Sequence, residues 1–336
     1  MTAFMRASDA FTWAMETDPR LRSTVVSVVL LERSPDWDEV RTRFDEISRR
    51  LPMFRQRVVE SPPPAPPRWE YYPDFELDYH LRRAVVPAPG SLAAVLEMAR
   101  VADMQDFDRA RALWETTLID GLENGGAAVI CKFHHALTDG VGGVQIAMNL
   151  FSVSDDPYVH EPLPPEPHVT SPSLLSGYRD TWRYDAGMLG GAVAGAVRLA
   201  PRLMYAGVRR PVATARSAAA TAASIYRAVR PINRPGSPLA TERGLTRRLG
   251  VHDVSMPLLR EAAHRCGGAL NDAFVAGVAG GLRRYHEQHG IAVGDLHLTM
   301  PVSLRTTADD MGGNRITLMR FDVPVGEADP AARIRA

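Results

Sequence analysis

The sequence predicts an α/β fold in two parts. Stretches typical of β-strands alternate with stretches typical of amphipathic helices over residues 1–150, and the alternation returns over 246–336. Interleaving of this kind indicates helices packed on a sheet. The 336 residues are enough for two domains. The composition, 45% hydrophobic and 23% charged, is that of an ordinary globular protein. We therefore expect a first domain over 1–151, a crossover over 152–245 and a second domain from 246.

The first strand and helix are marked by residue type and periodicity. Thr24 to Leu31 is apolar and β-branched, which favours a buried strand. Ser34 and Pro35 then predict a helix start, with serine as the cap and proline at the first helical position. Apolar residues at helical spacing give this helix one core-facing side: Trp37, Val40, Phe44, Ile47 and Leu51.

The rest of the first domain is predicted as strands around one helix. Strand-like patterns occupy residues 69–72, 75–80 and 114–120, and 92–104 is a helix candidate. Asn124, Gly125 and Gly126 then predict a hairpin turn into an apolar strand over 127–131.

The crossover is rich in proline, alanine and arginine. Pro162 to Pro172 has the composition of a linker, and 186–197 is apolar but too short to span a bilayer. Two interpretations stay open. The segment is either a solvated helical crossover, or it lies on an anionic membrane surface through arginine and apolar side chains. The arginines concerned are Arg198, Arg202, Arg209, Arg210 and Arg216.

The second part begins with two predicted helices. The first starts at Ser255-Met256-Pro257 and ends near Gly267-Gly268, and the second opens at Leu270-Asn271-Asp272. Residues 296–304 and 316–323 are predicted as strands, and Asp329-Pro330 as a further helix start.

Charge and cysteine content narrow the functional classes. The formal net charge is zero, so no overall field attracts nucleic acid. Cys131 and Cys266 form neither a disulfide framework nor a metal-binding motif, which fits a cytoplasmic protein. Cys131 lies in an apolar strand, where cysteine is usually a buried and unreactive side chain. The N-terminus lacks a basic region followed by an apolar core, so no signal peptide is expected.

The stretch with the clearest chemistry is Phe133 to Gly140, FHHALTDG. It follows the predicted strand and precedes apolar residues at helical spacing over 140–148. A neutral imidazole at a strand end is well placed to act as a general base near pH 7. Asp139 either caps the helix or pairs with an arginine, and Gly140 allows a sharp turn.

Residue types alone leave three interpretations of this stretch. The simplest is two packing or surface histidines beside a capping aspartate. A metal site would use His135 and Asp139, but no third ligand has suitable spacing, so no metal is expected. The third is acyl transfer by a histidine base.

The pattern His-His-x-x-x-Asp-Gly resembles the active-site motif of the chloramphenicol acetyltransferase-like superfamily, which includes condensation domains and bacterial wax ester synthase/diacylglycerol acyltransferases. Further segments resemble the latter family, in order along the chain: Ser8–Ala10, Phe75–His80, Arg111–Trp114, Leu270–Asp272, Pro301–Arg305 and Gly313–Arg315. Ala112 stands where that family has proline. A rival pairing of His134 with Asp139, at the spacing of glycerol-phosphate acyltransferases, is disfavoured by the segments at Asn271 and Pro301.

The resemblance implies a fold and a set of site residues. The fold is a two-domain chloramphenicol acetyltransferase-like sandwich, with a second domain that is incomplete because family members continue beyond residue 336. His135 is the implied general base and His134 supports it. Asp139 is structural, with Arg305 as the candidate arginine partner, and Gly140 lies at the loop turn. Asn271 and Asp272 are expected either to contact substrate or to cap their helix.

The implied reaction is O-acyl transfer from acyl-CoA to diacylglycerol or a long-chain alcohol, without a covalent enzyme intermediate. Acyl-CoA is a co-substrate, and no cofactor is implied. The implied partners are these substrates and a peripheral membrane or lipid-droplet surface. Two alternatives stay open. One is an incomplete chain that binds acyl chains or lipid surface without catalysis, and the other is a condensation-type enzyme that takes its acyl group from a carrier protein.

Overall fold

The computed structural model describes residues 3–151, 162–166, 177–188, 190, 236–242, 244–304 and 316–336. The chain divides into two compact units. The first comprises Met1–Val193, Leu245–Gly250 and Ser303–Ile316, and the second comprises Ala194–Gly244, Val251–Val302 and Thr317–Ala336. Both units contain helices and strands, so the predicted α/β class is confirmed. The crossover arginines named above, Arg198 to Arg216, lie outside the described residues.

The first unit contains seven described strands and six described helices. The strands are β1 (Ala3–Phe4), β2 (Thr24–Leu31), β3 (Gln56–Val59), β4 (Arg68–Tyr71), β5 (Leu81–Val85), β6 (Trp114–Asp120) and β7 (Ala127–His134). The helices are α1 (Ala7–Met15), α2 (Trp37–Arg50), α3 (Leu77–His80), α4 (Leu92–Met104), α5 (Gly140–Leu150) and α6 (177–188). None of the helices in the described ranges is long and apolar enough to cross a bilayer.

A four-stranded sheet in the order β2-β7-β6-β5 forms the centre of this unit. Its first three strands are antiparallel neighbours, and β5 runs parallel to β6. The register places Thr24 of β2 opposite His134 of β7, so the start of one strand lies beside the histidine motif. A smaller antiparallel sheet has the order β1-β4-β3.

Helices cover both faces of the central sheet. Because successive side chains of a strand point to opposite faces, β7 contributes to two separate cores. Val129 and Cys131 belong to the core that includes apolar side chains of α2 and α5, whereas Ala128 and Ile130 pack with Val95 of α4. All eight residues of β7 are buried, which fits a central strand covered on both sides.

Most element boundaries agree with the sequence predictions. Strands β2 and β6 and helix α4 have the predicted limits, and β7 extends three residues further, to His134. The predicted hairpin turn is confirmed between β6 and β7, where Asn124 and Gly125 both have positive φ.

Two local predictions are wrong. The cap of α2 is Asp36, whose Oδ1 accepts the Glu39 N–H at 3.0 Å, because Ser34 instead donates its hydroxyl to Asp120. Residues 75–80 are not a strand, because α3 occupies Leu77–His80. Its turn brings His80 into the core, where the imidazole stacks on Trp114 with ring centroids 4.7 Å apart.

The second unit contains helices α7 (Met256–Arg265), α8 (Leu270–Gln288) and α9 (Pro330–Arg335) and a two-stranded sheet of β8 (Leu296–Ser303) and β9 (Ile316–Val323). The predicted glycine after α7 is confirmed, because Gly267 has a φ of +78°. The predicted helix start at Asp329 is also confirmed, since its carboxylate accepts the Ala331 and Ala332 N–H groups.

Candidate active site

The histidine motif forms a tight connection between a buried strand and a helix. His134 is the last residue of β7, residues 135–137 form a turn, and α5 begins at Gly140. Within 134–139, every residue is buried except His135, which is half-buried. The motif therefore brings a single imidazole to the surface on a rigid connection.

Asp139 fixes the helical side of this connection. Its side chain is buried, and Oδ1 accepts the Gly142 N–H at 2.8 Å, so Asp139 is the N-cap of α5. The sequence left two roles for Asp139, helix capping or pairing with an arginine, and this contact confirms capping. Arg305, the candidate partner for an ion pair, lies outside the described residues.

Gly140 is the first residue of α5, where it is exposed. Its φ is not positive, and a Cβ placed on it would meet no heavy atom within 4 Å. The expected need for glycine at a sharp turn is therefore not supported, because the local backbone would accept a side chain here.

His134 is held by contacts on both ring nitrogens. Nδ1 accepts the Ala136 N–H at 3.0 Å, so a neutral ring carries its hydrogen on Nε2. Nε2 lies 3.1 Å from Oε2 of Glu16, at the distance of a close ion pair and without the alignment of a good hydrogen bond. The ring is fully buried against the edges of Trp13 and Phe107. These surroundings suit a positioning residue.

Glu16 is a site residue that the sequence reasoning missed. It follows α1, and its Oε1 accepts the Ser23 N–H at 2.6 Å while Oε2 faces His134. Burial alone would raise the pKa of this carboxyl, but His134, the Ser23 N–H and Arg109 together lower it. Glu16 is therefore held as a carboxylate beside His134. Only strand pairing could have pointed to Glu16 from the sequence. Antiparallel pairing of β2 with β7 places Thr24 opposite His134, so the residues before Thr24 lie close to His134.

Ser23 connects Glu16 to the backbone of His135. Its N–H donates to Glu16, and its carbonyl accepts the His135 N–H at 2.8 Å. The two histidines are thus tied to the same short segment before β2, His134 through its ring and His135 through its backbone. The main chain of His135 is therefore fixed by a hydrogen bond to the segment before β2.

Lys132, the only lysine of the sequence, supports the same region from β7. It is buried, and its Nζ lies 4.2 Å from the ring centroid of Phe107 and 3.8 Å from Oε1 of Glu115. Burial lowers the pKa of this ammonium, and Glu115 and Asp106 oppose the shift. Phe107 therefore contacts both the Lys132 ammonium and the His134 ring.

Two segments that carried the family resemblance meet in the core beside the sheet. His80 Nδ1 donates to the Trp114 carbonyl at 2.7 Å, and Nε2 accepts the Tyr72 hydroxyl at 2.9 Å. Burial lowers the pKa of His80 to about 4, so the ring is neutral, and burial raises the pKa of Tyr72 to about 12. His80 therefore links the Tyr72 hydroxyl to the carbonyl of Trp114, the first residue of β6, through two hydrogen bonds.

Asn271 and Asp272 lie in the first turn of α8, in the second unit. Asp272 Oδ2 accepts the Ala269 N–H at 2.8 Å, so this carboxylate stabilises the helix start. Asn271 does not cap the helix, because the N-cap position is Ala269. Its exposed amide lies 3.5 Å from the Met300 sulfur. Of the predicted site residues, the structure brings together those of the motif, 134–140.

Cys131 has none of the features of a nucleophile. It is fully buried in β7, and burial raises the pKa of its thiol to about 11. Across the described ranges, no three His, Cys, Asp or Glu side chains are grouped as metal ligands. The half-buried His135 is thus the group of the motif best suited to proton transfer.

Comparison with known sequences identifies close relatives. A family model described as the wax ester synthase/diacylglycerol acyltransferase catalytic domain matches residues 5–274. A putative diacylglycerol O-acyltransferase of Mycobacterium tuberculosis strain H37Rv is 40% identical over 325 residues, covering 95% of this chain and 65% of the relative. A second putative diacylglycerol O-acyltransferase from that strain is 32% identical over 332 residues, which cover 93% of this chain and 65% of the relative. The chain spans just under two thirds of the length of these curated relatives.

Solved structures share the fold at low sequence identity. The wax ester synthase/diacylglycerol acyltransferase from Marinobacter aquaeolei VT8 matches with a TM-score of 0.62 and 19% identity, over 99% of this chain and 68% of that one. The first condensation domain of the calcium-dependent antibiotic synthetase matches with a TM-score of 0.59 and 15% identity, over 99% of this chain and 72% of that domain's chain. These matches confirm the chloramphenicol acetyltransferase-like fold that the motif resemblance implied.

Proposed function

Because the chain belongs to the wax ester synthase/diacylglycerol acyltransferase family, we propose that it is an acyl-CoA-dependent O-acyltransferase with His135 as its general base. The observation that carries this proposal is the contrast within the motif. His134 and Asp139 are buried, whereas His135 is half-buried directly after the last residue of β7. A base must be accessible to its substrate, and the partial exposure of His135 supports this role.

The proposed reaction transfers the acyl group directly. His135 takes the proton of the acceptor hydroxyl as that oxygen attacks the carbonyl carbon of the thioester. The carbon–oxygen bond forms, a tetrahedral oxyanion develops, and its collapse breaks the carbon–sulfur bond. The imidazolium then protonates the departing CoA thiolate, so the base is regenerated. The step needs no protein nucleophile, which fits the buried, high-pKa thiol of Cys131.

We propose diacylglycerol or a long-chain alcohol as the acceptor, and a long-chain acyl-CoA as the donor. The relatives named as putative diacylglycerol O-acyltransferases support the first acceptor, and the family description supports both. Asn271 is the better candidate of its pair for a substrate contact, because its amide is exposed whereas the Asp272 carboxylate is used within the helix start.

The test is release of CoA thiol from palmitoyl-CoA, with hexadecanol and separately with dipalmitoylglycerol as acceptor. We expect acceptor-dependent thiol release matched by ester formation in the wild-type chain. His135→Ala should lower the rate about 10²–10⁴-fold, the usual contribution of a general base. His252→Ala, which removes an exposed histidine of the second unit, is the matched control and should retain the wild-type rate.

Two outcomes would contradict this function. One is a folded wild-type chain that releases no thiol with either acceptor but binds acyl chains, which would identify a binding protein. The other is thiol release that does not depend on acceptor and persists in His135→Ala.

The shared fold with a condensation domain favours one second candidate, an acyltransferase that takes its acyl group from a carrier-protein thioester. The same assay separates the two candidates when palmitoyl-CoA is replaced by a palmitoylated acyl-carrier protein. A rate with the carrier protein that equals or exceeds the rate with CoA would favour the second candidate.

A further inference from the structure

Lys132 is a buried charge that the proposed reaction does not use. It is the only lysine of the sequence, and it is 2% exposed. Within the described residues, three groups lie around its Nζ. The Phe107 ring centroid is 4.2 Å away, Glu115 Oε1 is 3.8 Å away, and the Asp106 carbonyl accepts its N–H at 3.4 Å. The ammonium is therefore enclosed by an aromatic face, a carboxylate and a carbonyl.

This ammonium is a poor source of stability. Removal of a cation from water costs free energy, and burial lowers the pKa of Lys132 although Glu115 and Asp106 oppose the shift. The carboxylate of Glu115 is shared, because Arg82 lies 3.5 Å from its Oε2. Replacement of a buried ion pair by apolar side chains of similar volume is often neutral or stabilising. The fold therefore gains little stability from the charge of Lys132.

The ammonium is linked to the histidine motif through one aromatic ring. Lys132 and His134 are two residues apart on β7, so their side chains leave the same face of the sheet. Phe107 contacts both of them, and its ring centroid lies 6.1 Å from that of His134 at an angle of 63° between the planes. Because a cation is attracted to the face of an aromatic ring, Lys132 holds the ring that packs against His134.

The segment that carries Phe107 is also held by a second cation. Arg22 Nη2 donates to Asp106 Oδ2 at 2.6 Å, whereas Lys132 donates to the carbonyl of the same residue. Arg22 directly precedes the residue whose carbonyl accepts the His135 N–H. Two cations therefore fix Asp106 through its side chain and its main chain, beside the contacts that hold both histidines.

We propose that Lys132 is a positioning residue of the acyl-transfer site, which holds Phe107 against His134 and so keeps the histidine motif in its productive geometry. The inference rests on the proposed function and adds to it a buried group that acts through another side chain. A displacement of about 1 Å at an active site can lower turnover about 10²-fold, so a loosely packed ring beside His134 is enough to impair catalysis. Loss of the charge should therefore affect turnover more than folding.

The experiment compares Lys132→Met, which removes the charge and keeps an apolar side chain, with Phe107→Leu and with the double variant. In the palmitoyl-CoA assay, each single variant should lower kcat about 10–10²-fold with KM within about twofold of wild type. The double variant should be no slower than the slower single variant, because both changes break the same contact. The urea midpoint of Lys132→Met should equal or exceed that of wild type, since a buried charge is gone and Glu115 keeps Arg82.

Arg82→Met is the matched control for the loss of charge. It removes the other cation beside Glu115 without a contact to Phe107, and it should leave kcat at the wild-type value. A second readout does not depend on turnover. Nitrogen NMR of the histidine side chains should show displaced resonances for the His134 ring in Lys132→Met, with those of the exposed His252 unchanged.

Three results would overturn the positioning role of Lys132. The first is a Lys132→Met variant with the wild-type kcat. The second is a loss of kcat accompanied by a lower urea midpoint, which would show that the ammonium only stabilises the fold. The third is an unchanged set of His134 resonances. If the wild-type chain turns over no acceptor, the proposed function fails, and the His134 resonances alone then decide whether Lys132 positions the motif.

Discussion

His134 and His135 are adjacent in sequence but differ in burial. His134 is fully buried, with Nδ1 on the Ala136 N–H and Nε2 facing Glu16. His135 is half-buried, and its backbone is held by the Ser23 carbonyl. Alternation along β7 explains the difference, since the last strand residue points into a core while the next one leaves the sheet. The contacts of His134 suit a positioning role, and the partial exposure of His135 fits the proposed role as base.

His80 allows a residue-scale test by pH. Its pKa is lowered from 6.5 to about 4 by burial, so the unfolded chain binds more protons than the folded chain between these values. The contribution of neutral His80 to stability is therefore complete above pH 6.5, falls as the pH is lowered through this window, and is lost below about 4. The shift corresponds to at most about 3 kcal/mol.

We expect His80→Gln to reduce this pH dependence. Urea unfolding at pH 7 and pH 5 should show a smaller difference in the free energy of unfolding for His80→Gln than for wild type. The variant should also be less stable at pH 7 by about 1–3 kcal/mol, because the Trp114 carbonyl and Tyr72 hydroxyl lose their partner. Equal pH dependence in wild type and variant would show that His80 titrates near its ordinary value in the fold.

At the scale of elements, the strand-to-helix connection depends on the cap of α5. Asp139 accepts the Gly142 N–H, and the Gly143 N–H donates to the Asp139 carbonyl at 2.8 Å. The cap therefore sets the direction in which α5 leaves the motif. Asparagine caps helices about as well as aspartate but carries no charge, so the pair of substitutions separates the cap from any charge effect.

We expect stability to fall in the order wild type, Asp139→Asn, Asp139→Ala. The asparagine variant should exceed the alanine variant by about 0.5–2 kcal/mol in the free energy of unfolding, because it retains the cap. The difference in the free energy of unfolding between wild type and Asp139→Asn measures the contribution of the Asp139 charge, including an ion pair with Arg305 if one forms. Chemical denaturation at pH 7 gives all three values, and an asparagine variant no more stable than alanine would rule out the cap as the main role.

At the scale of the whole molecule, a segment late in the sequence, Leu245–Gly250, packs with the first unit. Leu245–Gly250 belongs to that unit, and Arg247 Nη1 lies 2.9 Å from both carboxylate oxygens of Asp103 on α4. Arg247 also donates to the Arg22 carbonyl at 3.2 Å, directly before Ser23. The contact joins a late segment to the region that holds His135.

A double-mutant cycle on Asp103→Ala and Arg247→Ala tests this connection. We expect a coupling of about 1–2 kcal/mol in the free energy of unfolding, because Asp103 is buried and Arg247 Nη1 contacts both of its carboxylate oxygens, while Arg247 is partly exposed. Urea unfolding of the four chains provides the measurement. Effects that add within about 0.3 kcal/mol would show that the two side chains do not stabilise each other.

Sequence patterns correctly predicted the elements whose conformation is set by residues close together in the sequence. The β-branched run of β2, the alternation of β6 and the Asn124 turn each specify their own conformation, and the structure agrees with them. The segment 75–80 was misassigned because its strand-like alternation is overridden by tertiary contacts. His80 must reach the Trp114 carbonyl, and a helical turn places it there.

The site was predicted only as far as the motif extends. The motif placed His134, His135 and Asp139 on one connection, but the sequence left open whether Asp139 caps the helix or pairs with an arginine, and the structure shows the cap. Glu16 and Lys132 were not assigned, because their roles arise from strand pairing and burial that no short pattern encodes. Ser34 was misread as a cap, since its actual partner, Asp120, lies 86 residues away.

The division of roles between the two histidines is tested most directly by parallel measurement of turnover and melting temperature in His134→Gln and His135→Gln. We expect His135→Gln to lower acceptor-dependent turnover about 10²–10⁴-fold, with a smaller change in melting temperature than His134→Gln causes. His134→Gln should lower the stability by about 1–3 kcal/mol, because Glu16 loses its buried partner, with a smaller loss of turnover. An inactive but fully stable His134→Gln, beside an active His135→Gln, would contradict the assignment of His135 as the base.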